Sequence, residues 1–191
     1  MSVIEDGSGD SYTAKVDSDQ RLNTKSVIQS RVSDVSKREG NSFLLASGFV
    51  SLTTTGSFNG MLYLKNTSDD DLYIATIRTC SDTAGNLQVK IIKNPTLGTL
   101  ISDANVALKA SSNYGSSKEF GGLVYSASGD GKTVTDGDDS TTFINHSPGH
   151  SIQEYQGAII IPKGKSMAIV TKPSVATTAC VEIQCWFEGD E

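Results

Sequence analysis

The chain has few charged and aromatic residues and no long apolar run, and each shortage excludes a class of protein. Of its 191 residues, 20% are charged, 7% are aromatic and 37% are hydrophobic. No stretch approaches the roughly 18 consecutive apolar residues that a membrane-spanning helix needs. The N-terminus also lacks the basic and apolar regions of a signal peptide. We therefore expect no membrane association, and synthesis in a reducing cytoplasm.

The chain also has fewer basic residues than acidic residues. The chain carries 16 lysines and arginines against 22 acidic residues, for a formal net charge of −6. Nucleic acids and anionic membranes attract proteins of the opposite sign. We therefore expect neither a nucleic acid nor a membrane as a partner.

Cysteine is rare, with Cys80, Cys180 and Cys185 as the only three. Three cysteines make no disulfide framework, and none of them belongs to a C-x-x-C pair with metal-binding spacing. Cys180 and Cys185 lie an odd number of residues apart, so in an unbroken strand they face opposite sides and cannot bridge each other. We interpret the cysteines as buried free thiols.

Alternating and short apolar segments dominate the rest of the chain and predict β-strands. Residues 157–171 contain two apolar runs joined by a Pro-x-Gly turn, and residues 180–187 alternate. Similar segments separated by turn residues recur from residue 42 to residue 93. About eight strands at this spacing favour an all-β fold, a jelly-roll (Greek-key) antiparallel β-sandwich, over an up-and-down barrel.

The first 41 residues differ in composition from the remainder. They are nearly neutral, with few large apolar side chains and no aromatic residue except Tyr12, so they cannot close a core alone. We predict an extended N-terminal arm over residues 1–41, which becomes ordered against another surface, and a β-sandwich domain over residues 42–191. A disordered tail is the alternative.

A long segment rich in Ser, Gly, Asp and Asn covers residues 104–149 and predicts a functional or contact loop. Its acidic part, residues 128–139, has the carboxylates and glycines that Ca²⁺ sites use. It lacks the regular acidic spacing and the final Glu of a helix-loop-helix calcium site. We therefore expect a solvated turn cluster, assign no metal ligand, and leave calcium binding open.

No catalytic motif is present, so we predict a protein that is not an enzyme and has no cofactor. His146 and His150 are separated by Ser-Pro-Gly, which argues against a shared helical face. Neither a nucleophile elbow nor a complete phosphate-binding loop occurs. Glu154 and Glu182 are the acidic candidates on predicted strands for a hydrolase or lyase on a jelly-roll scaffold. Trp186 is expected to be a core or interface anchor.

Several segments resemble a group of tailed-bacteriophage virion proteins. They are residues 9–17 (GDSYTAKVD), 20–22 (QRL), 61–66 (MLYLKN), 113–120 (NYGSSKEF), 133–137 (TVTDG) and 161–164 (IPKG), with the last strand that holds Trp186. The resemblance spans most of the chain. It implies a jelly-roll capsid cement or decoration protein, commonly a homotrimer, that binds the major capsid protein on the virion surface. The family offers no catalytic residues.

The arm fits this role because many weak contacts add up over a symmetric lattice. It would link adjacent capsomers by β-augmentation or by placing its side chains in grooves of the capsid protein. The residues that we expect to bind the capsid are Tyr12, Val16, Arg21, Leu22, Val27, Ile28, Val32 and Val35. The alternative is a host-receptor or glycan-binding module of a head fibre or tail, with its site on residues 104–149.

Overall fold

The computed structural model describes residues 31–98 and 108–188, and within them it contains one short helix and nine strands. The elements are α1 (Arg31–Arg38), β1 (Ser42–Ala46), β2 (Val50–Leu52), β3 (Asn59–Asn66), β4 (Asp71–Lys93), β5 (Leu108–Ser111), β6 (Gly122–Ser126), β7 (Asp138–Ile161), β8 (Ser166–Pro173) and β9 (Thr177–Glu188). All pairings between these strands are antiparallel. The predicted all-β antiparallel fold is confirmed. Among the described residues, no helix has the length and apolar character to cross a membrane.

Strands β4 and β7 are long enough to take part in both halves of the sheet. Residues 71–81 of β4 pair with β9, whereas residues 87–93 pair with β8. Strand β7 pairs with β4 along both parts. The first half-sheet therefore has the order β5-β1-β9-β4-β7, and the second has the order β6-β3-β8-β4-β7. Eight strand segments follow the jelly-roll order. They are β1, β3, β8, β9, the two halves of β4 and the two halves of β7.

The core lies between the two half-sheets because inward-facing side chains alternate along each strand. Its fully buried members come from both halves and include Leu45, Leu64, Leu72, Ile77, Val89, Ile169 and Ile183. Phe120 lies against Phe43 and Phe187, with ring centroids 5.5 Å and 5.2 Å away. Each buried aliphatic or aromatic side chain contributes about 1.5–3 kcal/mol, so this interior supplies most of the driving force for folding.

The bend of β4 lies between residues 81 and 85, where its register with β7 shifts. Asp82 accepts hydrogen bonds from the Thr178 backbone N–H at 2.8 Å and from the Thr177 and Thr83 hydroxyls at 2.9 Å. Gly85 has a φ of +152°, and a Cβ there would approach side-chain atoms of Ser174 and Val175 to 2.8 Å. These contacts hold the bend against the start of β9.

Cys80 and Cys180 form a disulfide, so the prediction of three free thiols is wrong for this pair. The two residues face each other directly in the β4–β9 register, with Cα atoms 5.1 Å apart. Their pairing joins positions 100 residues apart in sequence, which local patterns do not reveal. Cys185 is free and fully buried, and burial raises its thiol pKa.

The part of the predicted arm within the described residues is not extended, because Arg31–Arg38 form helix α1. Val32 and Val35 are three positions apart and lie on one side of the helix, where they pack against the sheet. With a single apolar pair over eight residues, the helical period was too short to detect. Residues 1–30 lie outside the described residues.

We expect the chain purified without reductant to give tryptic peptides 79–90 and 166–191 linked by one disulfide. Cys185→Ser should retain the link and Cys180→Ser should abolish it, as read by mass spectrometry with and without reductant. In the chain-entropy model, closing a loop of this length stabilises the fold by about 4–5 kcal/mol. Reduction should lower the free energy of unfolding by up to that amount. A link through Cys185 would contradict the structure.

Asp82→Asn should lower the Tm at pH 7, because the hydrogen bonds from Thr178, Thr177 and Thr83 lower the pKa of the Asp82 carboxyl from 3.8 to about 2. A lowered folded-state pKa gives stability above the unfolded value that is lost as the pH falls through the folded value. The Tm difference from wild type should therefore shrink between pH 4 and pH 2. Thermal unfolding followed by circular dichroism measures it, with exposed Asp138→Asn as the control. A difference that stays constant over this range would contradict the assignment.

Candidate partner-binding surface

The outer face of the first half-sheet exposes aliphatic side chains around one ion pair. Directly opposed residues share a face of an antiparallel pair, and Arg78 lies opposite Ile152 on one side and Glu182 on the other. Leu44, Ile152 and Ile160 are 38%, 45% and 48% exposed on this face. The Arg78 guanidinium lies 4.0 Å from the Glu182 carboxylate. Non-obligate contact surfaces combine apolar and polar side chains in about the proportion of the rest of a protein surface.

Helix α1 covers one end of this outer face. Trp186 is 3% exposed and stacks on Tyr73, with ring centroids 5.4 Å apart, and Val35 packs on this pair. The indole N–H of Trp186 donates to Glu188 at 3.1 Å, and Arg31 also donates to that carboxylate. The hydrogen bond from Arg31 is the main reason why the pKa of Glu188 is lowered. The helix is thus held by an apolar contact and an ion pair at its first residue.

Gly157 in β7 lies against the edge of the indole's benzene ring. Its φ is +89°, and a Cβ at this position would come within 2.7 Å of the Trp186 ring. Glycine is the residue that accepts both the backbone conformation and the close approach. The prediction that Trp186 is a packing anchor is confirmed.

The structure places two of the eight predicted capsid-binding residues. Val32 is partly buried and Val35 is 1% exposed, both against Trp186 and its neighbours. Val35 is therefore packed against this chain's own sheet, and a role of Val32 and Val35 in capsid binding stays a prediction. Tyr12, Val16, Arg21, Leu22, Val27 and Ile28 lie outside the described residues, and their role stays a prediction.

Two aromatic side chains project from turns. Phe49 follows Gly48 between β1 and β2 and is 80% exposed, and Tyr114 is 94% exposed. The Asn113 side chain donates to the Ser36 carbonyl at 2.9 Å, which ties the Tyr114 turn to the end of α1. Exposed aromatic side chains are frequent anchors in protein interfaces. Sequence analysis did not single out Phe49, although its position directly after a turn glycine was a visible signal.

Three carboxylates of residues 128–139, those of Asp130, Asp136 and Asp139, have separate protein partners. One oxygen of Asp130 accepts hydrogen bonds from Thr53 and Thr54, and these outweigh the opposing effect of burial, so the pKa of Asp130 is lowered. Asp139 pairs with Lys90 at 2.7 Å, and Asp136 accepts from Thr96. In residues 31–98 and 108–188, no three side chains of the metal-binding types converge.

The candidate catalytic residues also lie apart. His146 contacts the Asn86 side chain at 3.0 Å, whereas His150 lies opposite Cys80 on the exposed face. Glu154 is on β7 and Glu182 is on β9, with β4 between them and two positions of offset. Strand spacing and rise place their Cα atoms about 12 Å apart.

Comparison with known proteins finds no family model that matches the chain and no match among curated proteins. Among solved structures, the chain has a likeness to hydroquinone 1,2-dioxygenase from Sphingomonas sp. TTNP3 with 4-hydroxybenzoate bound. The match covers 73% of this chain and 66% of the dioxygenase, at 8% identity and a TM-score of 0.24. The chain thus spans just under two thirds of that protein. A likeness at this level carries no argument about activity.

Proposed function

We propose that this protein is a non-enzymatic structural component of a tailed-bacteriophage virion, a capsid cement or decoration protein that binds the major capsid protein and stabilises the head. The observation that carries the proposal is the exposed outer face formed by Leu44, Ile152 and Ile160 around the Arg78–Glu182 pair. The sequence segments that resemble virion proteins support it independently.

A flat face of this kind suits repeated attachment to a lattice. Each contact on an exposed sheet is weak, and repetition on a symmetric shell raises the overall affinity through effective concentration. The packed interior between the half-sheets keeps the exposed residues in a fixed arrangement. The outer face therefore acts as a preformed docking surface, which keeps the ordering cost of binding low.

The protein acts as a homotrimer on the capsid surface. Within the described residues, β7 pairs with β4 alone, so the opposite edge of this 24-residue strand has no partner strand. Long free edges invite uncontrolled pairing unless they are covered, and a closed symmetric oligomer is one way to cover them. The protein is made in the host cytoplasm, and the Cys80–Cys180 disulfide suits a final position on the virion exterior.

Co-sedimentation with empty phage capsids tests the proposal, with Ile152→Asp as the decisive variant. A carboxylate in the centre of the contact face should weaken capsid binding at least tenfold, because it replaces an apolar contact and, from its position opposite Arg78, competes with Glu182 for the guanidinium. Leu123→Asp is the matched control, since Leu123 is 46% exposed against 45% for Ile152 and lies on the second half-sheet. The control should bind within twofold of wild type.

A second variant distinguishes the contribution of the N-terminal arm to capsid binding from that of the outer face. Deletion of residues 1–30 retains α1 and the whole compact unit from Arg31 onward, so a loss of binding would assign part of the affinity to the arm. Wild-type protein that does not co-sediment with capsids would contradict the cement role. Binding to host cells or glycans that Tyr114→Ala removes would then support the alternative, a receptor-binding module.

A further inference from the structure

A groove of about 480 Å³ lies on the outer face of the second half-sheet. Its floor comes from β3, β6 and the start of β8, and its wall is the segment of residues 94–97, which follows β4. The lining side chains that a ligand would use are Tyr63, Lys65, Leu123, Tyr125 and Lys165. The volume falls in the range of small-ligand sites in proteins.

The strand register arranges the floor of the groove in two rows. Tyr63 lies opposite Tyr125, and Lys65 lies opposite Leu123. Directly opposed residues share a face of the sheet, as do residues two positions apart on one strand. The aromatic row and the lysine row are therefore neighbours, about 7 Å apart. One ligand across the groove can contact both rows.

The wall of the groove is held in place by hydrogen bonds at both ends of residues 94–97. The Ser166 hydroxyl donates to the Pro95 carbonyl at 2.7 Å. Thr96 and Thr135 exchange backbone hydrogen bonds of 2.9 Å and 3.2 Å. The groove is therefore formed before a ligand arrives, which keeps the ordering cost of binding low.

The hydroxyl of Tyr63 is a polar group without a protein partner. This side chain is 5% exposed, yet its hydroxyl is accessible to solvent and forms no hydrogen bond within residues 31–98 and 108–188. The half-buried Tyr125 also has no partner for its hydroxyl in this part of the chain. Buried phenol groups usually have a hydrogen-bond partner. A ligand with oxygen atoms would supply one to both side chains.

The charge in the groove is positive and unpaired. Lys165 is exposed and Lys65 is half-buried, and neither has a carboxylate within 4 Å among the described residues. The residues opposite Lys65 on both neighbouring strands are uncharged, and no Asp or Glu lines the groove. Asp136, which accepts from Thr96 at 3.5 Å, is exposed, so water screens its charge. The lysine row therefore favours an anionic group.

A sugar ring with a carboxylate fits both rows. The C–H groups on one face of a pyranose pack against an aromatic ring such as that of Tyr125, and its ring and hydroxyl oxygens can accept from the Tyr63 hydroxyl. A carboxylate on the same ring reaches the lysine row, where hydrogen bonds between two charged groups are the stronger kind. An aromatic acid without hydroxyls would leave the phenol groups in the groove without partners.

We propose that this groove binds an acidic sugar, with its ring on Tyr125, a ring oxygen or hydroxyl bonded to Tyr63, and its carboxylate between Lys65 and Lys165. The groove shares no residue with the outer face that serves the proposed capsid contact. Sugar binding and co-sedimentation with capsids can therefore succeed or fail independently.

Saturation-transfer-difference NMR on the full chain tests the proposal with methyl glucuronide, methyl galacturonide and N-acetylneuraminate as probes. At least one of these acids should receive saturation at its ring C–H protons, in a manner that saturates with concentration. Methyl glucoside has the same ring as methyl glucuronide without the carboxylate and should bind at least tenfold more weakly. Benzoate has the carboxylate without the hydroxyls and should also bind at least tenfold more weakly.

Tyr63→Phe is the decisive variant because it removes one hydroxyl that has no partner in the described protein. It should weaken binding of the acidic sugar about tenfold and leave the Tm unchanged. Tyr114→Phe is its matched control, since it removes the same hydroxyl from a side chain that is 94% exposed and outside the groove. The control should bind within twofold of wild type.

The double variant Lys65→Gln and Lys165→Gln should weaken binding of the acidic sugar at least tenfold, because it removes both charges from the groove. Lys109→Gln with Lys118→Gln removes the same charge from exposed positions outside the groove and should bind within twofold of wild type. Absence of a saturable signal from all three acids, equal binding of methyl glucoside or benzoate, or unchanged binding in Tyr63→Phe or in the groove lysine variant would each overturn the proposal.

Discussion

The pairing of β4 with β7 is the constraint on which the rest of the structure depends. Both strands bend together, so one continuous antiparallel pair forms the edge of the first half-sheet and then the edge of the second. Strands β9 and β8 pair with successive parts of β4, and each carries further strands with it. The bend is held by Asp82 and Gly85, and the Cys80–Cys180 bridge lies directly before it. The jelly-roll order follows from this shared bend.

The same bend determines which surfaces are exposed. It directs the outer face of the first half-sheet, with Ile152 and the Arg78–Glu182 pair, away from the core and toward solvent. At the far end, it separates the start of β7 from its end and so opens a cleft of about 560 Å³ that is lined by Lys93 and Lys165. Helix α1 covers the indole of Trp186, which would otherwise leave a large apolar ring on the same face. The exposed outer face and the cleft beside β7 thus both arise from a single backbone feature.

The polar residues that most resemble a site in the sequence stabilise the fold instead. Asp130 secures the Thr53–Thr54 segment, and Asp139 pairs with Lys90 across the β4–β7 strand pair. Val35, expected to contact a capsid, packs on Trp186. The groups that remain available to partners are mostly apolar or singly charged side chains, which individually give no recognisable motif. For this reason, sequence motifs were poor guides to the candidate surfaces.

The sequence by itself determined the strands, several of their turns and the all-β class, because alternation along a strand and turn chemistry are local properties. The Pro162–Gly164 turn between β7 and β8 and the alternating last strand show this directly. Only the tertiary structure decided that Cys80 meets Cys180, that Val32 and Val35 belong to a helix on Trp186, and that Lys93 and Lys165 line one cleft. Each of these contacts joins residues far apart in the chain, and their proximity depends on strand order and on the bend of β4 and β7, which no local pattern encodes.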